Sequence, residues 1–191
     1  KSGVSLLINL LETLGVYWTV TLGNHDSEAY SYYNRERVSE FYEDEALKYC
    51  LYQPGPADID GKGNHVIEVK NSLGIITQAF FMFDSHSYTD DDYFGIWWKY
   101  DNIRQSQVNW YESEVLKMNE ENKTAISYLS QQRVYFDECV PVKSLAFFHI
   151  PLVEFKDAWD ELEANDFKDT DSVKYIDGII GETGKRIFSG I

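Results

Sequence analysis

Cysteine is nearly absent from this chain: Cys50 and Cys139 are the only two in 191 residues. They are far apart and in no metal-ligand spacing, so two reduced, buried thiols of a cytosolic protein are favoured over a disulfide. Basic residues are also scarce, 17 against 32 acidic, giving a net charge of -15 and a pI near 4.5. Such a surface repels a phosphate backbone, which disfavours nucleic acid as a partner. It repels an anionic substrate as well, unless metal ions supply local positive charge. No apolar run is of membrane-spanning length, so no membrane partner is expected. The opening "KSGVSLLINLLETLG" has no cleavage site after it and reads as a helix rather than a signal peptide. There is no internal repeat.

Aromatics are plentiful, with 14 Tyr, 11 Phe and 5 Trp spread along the chain at core and half-buried strand positions. With 43% hydrophobic residues, the length suits one domain covering residues 1–191. Leu6, Leu7, Leu10, Leu11 and Leu14 mark an amphipathic helix over 4–14, stopped by Gly15 and feeding a strand from Val16 to Leu22. A second helix is expected over Arg35–Tyr49, with Val38, Phe41, Tyr42 and Leu47 on its apolar side. "HVIEVK" and "IITQAFFMF", joined by "NSLG", predict an antiparallel hairpin whose second strand is central, since "FFMF" is apolar on both faces. A helix follows from Gln105 to Asn119, with Val108, Tyr111, Val115 and Met118 as its buried stripe. Residues 120–143 are weakly patterned and read as an insertion. "SLAFFHI" is expected to be a short buried strand, followed by a helix over Val153–Leu162 and a polar, Gly-rich tail. The grammar is α/β.

Chemistry concentrates at strand ends. "GNHD", Gly23 to Asp26, follows the apolar run "VYWTVTL". A turn needs only Gly and Asn there, whereas His25 beside Asp26 suggests a proton-transfer pair and the Asn24 oxygen a hard-metal ligand. His149 ends the run "SLAFFHI", a second strand end of the kind where α/β proteins build sites. His65 sits in a repeat of "GNH" that a turn explains. Asp84 and His86 have the D-x-H spacing of a metal pair, or simply turn the chain. Asp90, Asp91 and Asp92 read as a solvated acidic loop.

The segments "VYWTVTLGNHDSE", "FFMFDSHSY", "IRQSQVNWYESEV" and "SLAFFHIPLVEF" stand in an order that resembles calcineurin-like metallophosphoesterases of the purple-acid-phosphatase-like branch. The resemblance spans residues 4 to about 160. It implies two packed sheets flanked by helices, and a centre of two metal ions, with Mn, Fe and Zn all suited to mixed N/O ligands. It assigns Asn24 and His149 as ligands of one metal, His25 as the proton donor or charge stabiliser near the leaving group, and Asp26 as the acid orienting it. Two cations clamp a phosphoryl group and generate hydroxide near neutral pH, which would reconcile an acidic protein with a phosphate-ester substrate.

The family opens with D-x-H and GD-x-x-D before its GNH[DE], and closes with G-H-x-H; none stands in those places here. The chain therefore resembles a middle section, lacking the first strands and the last part. Such a section is expected to hold no metal alone, to be inactive, and to self-associate as a homodimer over its uncovered strands. The rival expectation is a non-catalytic binding or interaction module that retains the scaffold.

Overall fold

The computed structural model describes residues 2–28, 31–89, 100–132 and 140–170. Four helices and three strands follow in the order α1 (Ser2–Leu14), a 3-10 turn (Asn24–Ser27), α2 (Arg35–Tyr42), β1 (His65–Lys70), β2 (Ile76–Met82), α3 (Gln105–Gln131), β3 (Lys143–Phe147) and α4 (Val153–Ala164). The fold is mixed α/β, with one three-stranded sheet in the order β1-β2-β3.

The expected hairpin forms, His65 opposite Met82 and Glu68 opposite Ala79. Asn71 shapes its turn, accepting from the backbone N–H groups of Leu73 and Ile75 through its side chain, while Gly74 adopts φ +80. β2 is central as expected, and β3 joins its other side in parallel, Phe80 opposite Leu145. A parallel neighbour requires a long crossover, and α3 is that crossover. Its Trp110 and Met118 pack on Ala79, Phe81 and Phe83 from one sheet face. Val108, expected in this stripe, is exposed, and Trp110 takes the buried position.

α3 runs 27 residues, so the stretch 120–131 set apart as an insertion continues the helix. A polar residue at a core position hid the continuation. Asn122 is buried and its amide donates to the Ile76 carbonyl at 2.7 Å and accepts from the Ile76 N–H at 2.9 Å.

Three further expectations are corrected. Val16–Leu22 is not a ladder strand: among the described residues only the Trp18–Cys50 bridge pairs it, although Trp18 and Leu22 do turn inward. α2 stops at Tyr42 rather than Tyr49, because Asp44 accepts from the Ala46 N–H with its side chain and from Leu47 N–H with its carbonyl. β3 is an edge strand among the described residues, with Leu145 and Phe147 half exposed, not a buried one.

The leucine stripe of α1, Leu11 excepted, faces outward. The helix docks through Ile8 and Leu11 on a cluster of Trp18, Leu22, Tyr42 and Tyr52, and Glu12 accepts from the Trp18 indole and the Lys48 and Tyr49 backbone. That polar anchor fixes the rotation of α1 and leaves Leu6, Leu7, Leu10 and Leu14 exposed. Cys50 is a free, half-buried thiol. Cys139, Asp90, Asp91, Asp92 and the tail beyond residue 170 lie outside the described residues. Among the described residues no helix is long and apolar enough to cross a membrane.

Candidate active site

Three chain segments meet beyond the ends of β2 and β3: the 3-10 turn, the loop 84–88 and the bend at His149. Asn24 is 3% exposed, and its Oδ1 lies 2.8 Å from His149 Nε2. Because Oδ1 only accepts, Nε2 carries the proton. Gly23 makes the approach possible: a Cβ there would stand 3.1 Å from the His149 ring, while its φ of -100 places no demand for glycine. The Asn24 carbonyl accepts from Ser87 Oγ, and the Ile150 N–H donates to Ser85 Oγ, fastening the exits of β2 and β3 together.

The sequence candidates Asn24, His149 and His25 thus share one rim, with one rearrangement. Asp26 does not hold His25. Its carboxylate turns back to accept the Gly23 N–H at 2.7 Å and cap its own turn. Glu28 takes the expected place, its Oε1 2.5 Å from His25 Nδ1, with the Glu28 side chain 4% exposed and that of His25 77% exposed. A 3-10 turn has three residues per repeat, so positions 25 and 28 eclipse; His-x-x-Glu was the overlooked signal. The buried carboxylate fixes the His25 tautomer and turns Nε2 toward solvent.

Tyr88 links the two histidine systems. Its hydroxyl accepts from Asn24 Nδ2 at 2.6 Å and donates to Glu28 Oε1 at 3.2 Å. Desolvation pushes the Tyr88 phenol above its ordinary value, so the proton it donates stays in place. A continuous hydrogen-bonded chain therefore runs His149, Asn24, Tyr88, Glu28, His25.

Beneath it lies an ion pair that the sequence did not announce. Arg35, the first residue of α2, donates to both carboxylate oxygens of fully buried Asp84. The same guanidinium reaches the carbonyls of Gly23 at 3.0 Å and Leu22 at 3.2 Å, and Ser27 Oγ at 3.1 Å. Asp84 also accepts from the Lys62 and His86 N–H groups, each at 2.8 Å. The D-x-H segment is therefore a turn, with His86 at φ +62 and its ring on the Asn102 carbonyl. His65 is a packing residue: Nδ1 donates to the Gly63 carbonyl, so Nε2 accepts from the Thr19 hydroxyl.

Comparison with known proteins finds a relative 33% identical over 153 residues, 74% of this chain and 34% of that protein: probable inactive purple acid phosphatase 14 of Arabidopsis thaliana. The chain is purple acid phosphatase-like. Probable inactive purple acid phosphatase 28 of the same plant is 27% identical over 156 residues, 76% of this chain and 35% of that protein. The chain spans about a third of the length of these curated relatives. No family model and no solved structure matches it.

A metal centre, as such a likeness implies, needs donors that the described residues of this purple acid phosphatase-like chain do not bring together. Asn24 Oδ1 and His149 Nε2 are spaced like adjacent ligands of one ion, but both are neutral and spend their polar atoms on each other. Asp84, the nearby buried carboxylate, is committed to Arg35. Among the described residues no group of three or more His, Cys, Asp and Glu could hold an ion. Two neutral donors do not retain a divalent cation against water. The described residues alone do not fit a metal centre.

Proposed function

We propose that the chain is part of a phosphoesterase domain whose intact form hydrolyses phosphate esters. Asn24 and His149 are its contribution to a centre of two metal ions, Mn, Fe or Zn. The remaining donors would come from the two thirds of the relatives' length that this chain does not span. The three-stranded sheet is then one of two packed sheets. The observation carrying this reading is the 2.8 Å approach of Asn24 to His149 with His25 on the same rim. In that arrangement Asn24 and His149 would help hold an ion that, when bound, would supply positive charge to an anionic phosphate. In its doubly protonated imidazolium form His25 would present Nε2–H outward to give a proton to the leaving oxygen, while Glu28 accepts from Nδ1–H and stabilises that cation, and Tyr88 keeps Glu28 in register with Asn24.

In the intact protein, His25→Ala should lower turnover by roughly 10²–10⁴-fold, the range for a lost general acid. Metal content, measured by elemental analysis, should stay near normal. Asn24→Ala and His149→Ala should deplete metal. Unchanged turnover in His25→Ala across pH would refute its role.

A second reading has its own support. The relatives carry "inactive" in their names, and the described donor set is neutral and incomplete. On that reading the rim is a retained scaffold that binds without catalysis, and metal-loaded protein would release no phosphate from 4-nitrophenyl phosphate.

A further inference from the structure

A cleft of about 410 Å³ lined in part by His25 opens between the start of α1 and one face of α2. That volume lies within the range of about 300–1,000 Å³ typical of small-molecule sites. Its walls are Val4, Val38, Phe41, Tyr33 and Tyr42, an apolar and aromatic lining. His25 stands at its edge, so the cleft begins where the proposed proton donor ends.

The charged lining narrows what it accepts. Asp26, Glu40 and Asp44 face it against one cation, Arg37, whose guanidinium is already paired with Glu40. Asp26 is turned to the Gly23 N–H and Asp44 to the Ala46 N–H. Among the described residues no uncommitted cation is therefore left there to hold a second phosphate, while three carboxylates repel one. The Tyr42 phenol, raised by burial and then by Asp26, stays protonated and adds no further charge.

Resting on the phosphoesterase reading, we propose that this cleft seats the organic half of the ester, an aromatic alcohol without a further anionic group. Aryl phosphates are then favoured, and nucleoside polyphosphates and sugar bisphosphates are rejected. Aromatic alcohols recover apolar burial against Phe41 and Val38 and stack on the tyrosines, with the ester oxygen toward His25.

The test is 19F NMR of the purified protein with 4-fluorophenol as probe, with phosphate release followed separately on the metal-loaded intact protein. Line broadening is expected with the unmodified protein. It should weaken about ten-fold in Val38→Trp, whose indole fills the cleft and displaces the probe. Val4→Trp does the same from an exposed position on α1, and so serves if Val38→Trp fails to fold. No broadening, or equal broadening in Val4→Trp, overturns the proposal. Broadening that both substitutions abolish, without phosphate release from 4-fluorophenyl phosphate, upholds the cleft and defeats the phosphoesterase reading. Phosphate release at equal rates from aryl phosphate and ATP, unaffected by Val4→Trp, upholds that reading and defeats the cleft.

Discussion

Replacing Arg35 by methionine tests the ion pair on which the site rests. The substitution keeps the side chain's length and apolar stem but removes the guanidinium. Asp84 would keep the N–H groups of Lys62 and His86 while its carboxylate stayed fully buried. Removing one partner of a buried pair costs about 3–5 kcal/mol, and the 16% exposure of Arg35 argues for the lower end. A domain of this size has about 5–15 kcal/mol in total, so the variant should fold with much of its margin gone. Urea unfolding followed by tryptophan fluorescence measures it, with Trp18 and Trp110 buried in the two core clusters. With a denaturant slope of about 2.5 kcal/mol/M, a 3 kcal/mol loss lowers the midpoint by about 1.2 M. Adding Asp84→Asn removes the stranded charge, so the double variant should be more stable than additivity predicts, by about 2 kcal/mol. A midpoint shift below about 0.2 M, or strict additivity, would refute the reasoning.

His65 is buried and its imidazole is lowered from the ordinary value chiefly by desolvation, so the unfolded chain binds its proton first as pH falls. Its contribution should be fully present above about pH 6.5 and lost as pH drops toward the depressed folded value. His65→Gln should flatten that slope in thermal melts, and an unchanged slope refutes it. Gly23→Ala places a Cβ against the His149 ring and should cost about 1 kcal/mol by loosening the Asn24 bond, with a shifted His149 imidazole NMR signal; an unmoved signal refutes it. The exposed Leu6 and Leu10 of α1, with the open edge of β3, should make the chain self-associate in light scattering across a dilution series. A constant mass of 22.2 kDa would refute that.

Local chemistry was legible in the sequence, and the family resemblance paired Asn24 with His149; the other partnerships across the chain were not legible. The hairpin followed from two strand-like runs joined by the Asn71–Gly74 turn, and the central place of β2 from apolar residues on both its faces. Asn24, His25 and His149 were found because they end apolar runs. Their neighbours were missed for physical reasons. Asp26 was read as the orienting acid by adjacency, whereas the tight turn carries Glu28 under His25. Arg35 and Asp84 are 49 positions apart, and no spacing rule joins a helix start to a strand end. The α1 leucines were periodic enough to predict the helix, but Glu12, a polar residue, decided which way it faces.

The two buried amides of α3 act together as a ruler. Gln107 Nε2 donates to Asn64 Oδ1 and the Asp84 carbonyl near the site, while Asn122 grips Ile76 at the far end of β2. Fifteen helical steps span about 22 Å, and the eight extended steps from Ile76 through the end of β2 to Asp84 span about 26 Å. The helix is thus gauged against the strand at two marks rather than one. Sliding by one turn would satisfy neither mark. A single deletion between them would swing one amide about 100° off the sheet and strand its backbone partners. Insertions and deletions should therefore be tolerated in the 71–74 turn yet excluded between 108 and 121, a constraint on how this chain can drift that apolar packing alone would not impose.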